Sequence, residues 1–100
     1  MEDQAYAPDE ICVAIFRGEE ADVATVRQWL DTGGDANAKC PGTLGTPWES
    51  VLQRAARRGN TEILSLLLSR GADIDFTDPG GMTALFYLMN YWRSHRSLSA

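Results

Sequence analysis

His95 is the only histidine in the chain, and Cys12 and Cys40 are the only thiols. A histidine-based nucleophilic centre would have to use His95, which lies in the polar stretch SHRSLSA with no patterned element to orient its ring. It reads as a solvated surface histidine. Cys12, Cys40 and His95 lack the short paired spacings of zinc ligands. The glycine pairs at 33-34 and 80-81 belong to no G-x-x-x-x-G-K-S/T phosphate loop and read as turns. Glu19, Glu20 and Asp22 have the charge to gather a cation, but without EF-hand spacing or its central glycine they suit a solvated helix start. The sequence therefore assigns no catalytic residue, metal ligand or cofactor, and an enzyme is not expected. Trp29 and Trp92 fall on apolar stripes and read as core; Trp48 is placed to pack on the CPGTLG loop.

The elements that carry these residues are mostly helical. After Ala7-Pro8, the apolar run Ile11 to Phe16 opens on Asp9 and Glu10 and closes at Gly18, which favours a buried helix over a strand of the same composition. Asp22 is the expected N-cap of a second helix, whose Val23, Val26, Trp29 and Leu30 share a face before Gly33-Gly34 stops it. GDANAK is extended and turn-like, and CPGTLG has the chemistry of a loop. Thr46-Pro47-Trp48-Glu49 has the form of a capping box, which predicts a helix from Pro47 to about Arg58 with Val51, Leu52, Ala55 and Ala56 on one stripe. Gly59 closes that helix and Asn60 caps the next, in which Ile63, Leu64, Leu67 and Leu68 recur with the period of a helix. Ala72 to Asp78 is extended, and Pro79-Gly80-Gly81 turns. Thr83 caps a third inner helix with Leu85, Leu88, Met89 and Trp92 at i, i+3, i+4 and i+7.

The 100 residues, 44% hydrophobic and 23% charged, suit one small globular domain. Residues 1–35 hold nine acids against Arg17 and Arg27, so that part carries about −7 and the rest about +2. Such a chain repels nucleic acid on average, and no nucleic-acid partner is expected, although the local basic cluster Arg54, Arg57 and Arg58 has the charge to meet an anionic surface. An acidic N-terminus and the lack of a long apolar run speak against export or a membrane role. Two thiols far apart in sequence read as reduced cysteines, which places the chain in the cytoplasm or nucleus.

The chain also repeats itself. Ser50-Val51-Leu52 matches Thr83-Ala84-Leu85, and Ala55-Ala56 matches Leu88-Met89 at the same step, while GGDANAK at Gly33 matches GADIDFT at Gly71 at a slightly longer one. A helix-turn-helix unit repeating at about 33 residues and closed by a G-A-D turn resembles the ankyrin-repeat family. The likeness extends over residues 9 to 92. The middle unit carries it best, in Ala55-Ala56-Arg57-Arg58-Gly59-Asn60 and in Leu67-Leu68-Ser69-Arg70-Gly71-Ala72-Asp73-Ile74-Asp75. Gly81-Met82-Thr83-Ala84-Leu85-Phe86 is similar to the family's G-x-T-P-L-H. Thr46-Pro47-Trp48 lies ahead of the register set by Ala55-Ala56 by close to one helical turn, so an added turn at the helix start is expected. Trp92 stands where the family has glycine.

The resemblance implies an all-α ankyrin-repeat solenoid of stacked helix-turn-helix units, about two full repeats and a partial third. The divisions are an acidic tail over 1–8, repeats over 9–40, 41–78 and 79–92, and a polar tail over 93–100. It further implies a non-enzymatic module that binds a protein partner through the concave face of the stack. Carried over by position, the partner-binding residues are Glu49, Arg57, Arg58, Thr77, Met82, Asn90 and Tyr91. The arginines imply a partner of some acidic character; Arg57 and Arg58 equally fit a solvated helix end favoured by its dipole. Two other readings follow. The chain is a segment of a longer array, or self-associates through an uncapped C-terminal end where Leu64, Leu67, Leu88 and Trp92 are partly exposed; or it is the targeting arm of a larger enzyme.

Overall fold

A computed structural model describes residues 6–42 and 47–95. Among these residues, five helices and one short ribbon form the architecture: α1 (Asp9–Arg17), α2 (Glu20–Asp31), β1 (Lys39–Pro41), β2 (Trp48–Ser50), α3 (Val51–Arg57), α4 (Thr61–Ser69) and α5 (Ala84–His95). The helices α1 and α2, then α3 and α4, form antiparallel pairs stacked side by side, and α5 begins a third layer against α3. Helix α1 ends as its sequence predicts. Gly18 takes a left-handed φ of 66° and donates its amide to Ala14 O, a conformation that a side chain would strain.

The core runs through the middle of the stack. Ile11, Ile15, Val26, Val51, Leu52, Ile63 and Leu67 are fully buried, and every residue of α3 except Arg57 is buried. A helix so enclosed needs small residues where its neighbours approach, and Ala55 and Ala56 supply them. The layers are also joined by polar bonds. Asn37 accepts from the Asp73 amide at 2.8 Å, and Gln53 donates to the carbonyls of Phe76 and Met82. These bonds satisfy backbone groups of the connecting loop that would otherwise need water.

Several local expectations are corrected. The cap of α2 is Glu19, and Asp22 lies inside the first turn, where its carboxylate accepts from the Glu19 amide and pairs with Arg17. Pro47 to Ser50 does not extend α3. Trp48–Ser50 instead pairs antiparallel with Lys39–Pro41, with Cys40 opposite Glu49. A second capping box decides the start of α3: the Ser50 side chain accepts from the Gln53 amide at 3.0 Å, and the Gln53 side chain accepts from the Ser50 amide at 2.8 Å. Thr46, the cap expected from sequence, lies outside the described residues, as do the ends of both tails. Trp48 packs on Phe76, with centroids 5.5 Å apart, and beneath the Lys39 ammonium.

The cysteines are not free thiols. Cys12 of α1 and Cys40 of β1 form a buried disulfide, with Cα atoms 5.8 Å apart. Folding brings together two residues that their separation in sequence had suggested to be independent. A compartment inferred from free thiols loses that basis. Among the described residues, no helix is long and apolar enough to cross a membrane.

The C-terminal end also differs from expectation. Leu67 is fully buried and Leu64 nearly so, rather than partly exposed. On α5, Ala84 is buried and Tyr87 and Leu88 pack on the core, whereas Leu85, Met89 and Trp92 face solvent. The inward face is thus the 84-87-88-91 stripe, one position removed from the stripe read from sequence. Trp92 is exposed rather than core, while Trp29 packs against the core as expected.

Candidate functional site

The polar cluster that joins the first two layers is built around a buried carboxylate. Glu49 sits on β2, opposite Cys40, and its side chain turns toward α3 to meet two arginines one helical turn apart. Arg54 Nε lies 2.7 Å from Glu49 Oε2, and Arg57 makes a two-pronged contact with both carboxylate oxygens, at 3.1 and 2.7 Å. Arg54 continues inward: its two terminal nitrogens donate to Cys12 O at 3.2 Å and Pro41 O at 2.7 Å. One side chain thus ties α1, the ribbon and α3 together. A carboxylate shared by two guanidinium groups leaves a net positive charge, and the low local dielectric strengthens each bond.

A second polar pair adjoins the first. The Tyr87 hydroxyl of α5 donates to Asp78, whose other oxygen accepts from the amides of Gly80 and Met82 at 2.9 and 3.0 Å. Burial, and then the neighbouring Asp78 carboxylate, push the Tyr87 phenol up to about 12; Glu49 adds to the shift and Arg57 opposes it. Asp78 thereby holds the turn that places Met82 and starts α5. At the far side of the first layer, the Arg17 guanidinium and then the Glu19 amide hold the Asp22 carboxyl below its usual range.

The residues expected at a partner surface fall into three groups. Glu49 is buried in β2 and positions Arg54 and Arg57 instead of presenting its own carboxylate. Arg57 is half-buried against it. Arg58, Tyr91 and Asn90 lie at the helix-turn end: Arg58 is exposed, donates its Nε to Phe16 O at 3.0 Å and sits 4.3 Å over the Phe16 ring. The Tyr91 ring covers Gly59, whose left-handed φ of 71° and lack of a side chain leave room for it. Thr77 and Met82 lie on the loop before α5, with Thr77 exposed and Met82 half-buried. Arg58, Gly59, Asn60, Thr61 and Glu62 join Phe16, Arg17 and Gly18 around a shallow polar depression of about 330 Å³.

Asp78 and Tyr87 were not singled out from the sequence, and Arg54 only as a member of the basic cluster with Arg57 and Arg58. Arg54 did carry a signal, since it precedes Arg57 at i, i+3 spacing and therefore shares its helical face. Its partner Glu49 was hidden by the expectation of a helix there. Among the described residues, no three or more of His, Cys, Asp and Glu are grouped to hold a metal ion.

Stacked antiparallel helix pairs joined by extended loops define a helical-repeat solenoid. A family model described as ankyrin repeats in three copies matches residues 11–96, and the chain belongs to that family. Similar proteins include the BRCA1-associated RING domain protein 1 of Caenorhabditis elegans, 37% identical over 65 residues, which is 65% of this chain and 9% of that protein. The potassium channel AKT1 of Oryza sativa is 38% identical over 73 residues, covering 72% of this chain and 7% of the channel. The 2-5A-dependent ribonuclease of Mus musculus is 46% identical over 55 residues, 55% of this chain and 7% of its own. The chain thus spans less than a tenth of each of these relatives. Ankyrin repeats generally mediate contacts between proteins and are typically non-catalytic.

Proposed function

We propose that this chain binds a protein partner with an acidic segment across its concave and helix-turn surface, through Arg57, Arg58, Thr77, Met82, Asn90 and Tyr91. The observation that carries the reading is the presentation of Arg58. Its side chain is exposed, anchored at Nε by Phe16 O and supported by the Phe16 ring, beside a polar depression flanked by Tyr91 on Gly59. An arginine already held in one orientation loses less entropy when a carboxylate docks, and arginine and tyrosine are the types that dominate binding energy at interfaces. The pair of arginines around Glu49 adds positive charge along the same route. Glu49 supports the surface from beneath.

The test is selection of a displayed peptide library on the whole chain, followed by titration of the selected peptides at two salt concentrations. Asp- and Glu-rich peptides are expected, with binding that falls as salt rises and falls by about tenfold or more on Arg58→Glu. Peptides without acidic residues, or binding indifferent to Arg58→Glu in a variant with unchanged circular dichroism, would remove Arg58 from the surface. The larger roles, a segment of a longer array or the targeting arm of an enzyme, are compatible with the same surface.

A further inference from the structure

Each cysteine of the disulfide lies on the support of a surface arginine. Cys12 sits in α1 about one helical turn before Phe16, whose carbonyl accepts from Arg58 Nε at 3.0 Å and whose ring lies under the same guanidinium. Cys40 sits in β1 opposite Glu49, whose carboxylate holds Arg57 at 3.1 and 2.7 Å. The sulfur-sulfur bond therefore couples the seat of one arginine to the seat of the other. Carbonyls along α1 and at its end also receive the second layer: Cys12 O takes Arg54, Phe16 O takes Arg58, and Gly18 O takes the Asn60 side chain at 3.0 Å. Where α1 lies decides whether Arg58 is anchored.

Both cysteines are buried, 4% and 0% exposed, beside fully buried Ile11, Ile15 and Val51. Two sulfurs that are no longer bonded must stand at van der Waals distance, so the reduced pair needs more room than the disulfide in a closed part of the core. A close-packed interior compresses little and passes such a displacement along its rigid elements. Strand β1 is tied on both edges, by its pairing with β2 and by the Ala7 amide, which donates to Lys39 O at 2.7 Å. Helix α1 is then the element that gives, and a shift at Cys12 carries through its nine residues to Phe16 and Gly18.

We propose that the Cys12–Cys40 disulfide is a redox switch for the arginine surface, a regulation that rests on the acidic-partner reading above. Oxidised, it holds α1 where Phe16 fixes Arg58; reduced, it lets α1 shift from β1, frees Arg58 from its anchor and weakens binding of an acidic partner. A dithiol supplies the two electrons and two protons. One of its thiolates attacks one sulfur, and its second thiol displaces the mixed disulfide, leaving Cys12 and Cys40 as thiols and the reductant as a cyclic disulfide. Arg54, bonded to Cys12 O and Pro41 O, keeps the two elements adjacent, so the change is reversible. By linkage, a ligand that prefers the oxidised form makes the disulfide harder to reduce, by about 30 mV for a tenfold preference.

Exchange of arginine Nε protons with water, followed by NMR with and without dithiothreitol, tests the switch without any ligand. Arg58 Nε should exchange about tenfold faster in the reduced chain, while Arg54 Nε, buried on Glu49, stays slow in both forms. An oligo-aspartate peptide should bind the reduced chain about tenfold more weakly, with full recovery on reoxidation. In the double variant Cys12→Ala, Cys40→Ala, dithiothreitol should change neither reading. Equal Arg58 exchange in the two redox forms overturns the switch, and so does loss of protection at Arg54, which would mean that the first layer unfolds. Equal peptide affinity in the two forms overturns it as well. Failure of the peptide to bind either form strikes the acidic-partner reading instead, and Arg58 exchange alone then decides the switch.

Discussion

The two ends of the stack solve the same problem differently. At the first layer, α1 is fastened to the ribbon by the Cys12–Cys40 disulfide and by Arg54, which reaches the carbonyls on both sides of that link. At the last layer, α5 is held on one face by Tyr87, Leu88 and the Asp78 turn, and its other face carries exposed Leu85, Met89 and Trp92. The first layer is held by covalent and ionic bonds and exposes Val13 and Phe16; the third is held by packing and the Asp78 turn and exposes Leu85, Met89 and Trp92. In a repeat protein each layer draws stability from its neighbours, so a terminal layer must either be fastened or be covered. Among the described residues, the first layer is fastened and the outer face of α5 is open.

The sharpest way to break the contrast is at the buried carboxylate. Glu49→Ala leaves Arg54 and Arg57 without their counter-charge and should cost ~3–5 kcal/mol in a urea unfolding curve. Next comes the covalent link: replacing Cys12 and Cys40 together by alanine should cost ~2–4 kcal/mol, read as a lowered Tm, and reduction of the native chain should approach the same value. A smaller loss, about 1 kcal/mol, is expected for Asn37→Ala, which removes the acceptor for the Asp73 amide between layers. The least effect belongs to the open end. Met89→Ser should leave the urea midpoint within the error of the curve, because the side chain it shortens is already exposed. A loss of several kcal/mol there would mean that this face of α5 is buried and that the contrast is false.

The Asp78 turn can be followed by pH alone. Because the folded state keeps the Tyr87 phenol neutral up to about 12, above its ordinary value near 10, its contribution to stability is complete below pH 10 and is lost as pH rises from 10 to 12. Phenolate absorbance of the native chain should therefore include a late step, which disappears in Tyr87→Phe and moves to lower pH in Asp78→Asn.

The repeat was legible because its signals are local: Gly18 and Gly59 end helices, Asn60 and Thr83 cap them, and Leu67 and Ile63 share one stripe. The start of α3 was misread because two capping boxes overlap there, one opening at Thr46 and one at Ser50, and only pairing with Lys39–Pro41 chooses between them. That pairing is a hairpin across the CPGTLG loop, and reading the segment as loop followed by helix passed it over. The disulfide was missed for a different reason: Cys12 and Cys40 are 28 residues apart and meet only after β1 is laid beside α1. At the candidate site, Arg57, Arg58 and Tyr91 were proposed from the repeat register. The burial of Glu49, and with it the role of Arg54, followed from the strand that the register did not foresee. On α5, composition marked an apolar helix but not which side faced inward, because both sides are apolar.

Arg54 also bears on the order of events in oxidative folding. Its bonds to Cys12 O and Pro41 O need no sulfur-sulfur link, so the reduced chain, once folded, already holds its two thiols at high effective concentration. In a folded reduced chain, closure would need no further search by one thiol for the other. Both sulfurs are buried, so a small-molecule disulfide that drives the reaction must enter through a transient local opening, form a mixed disulfide with one thiol and be displaced by the other. The rate of oxidation is therefore a clock for the breathing of α1 against β1.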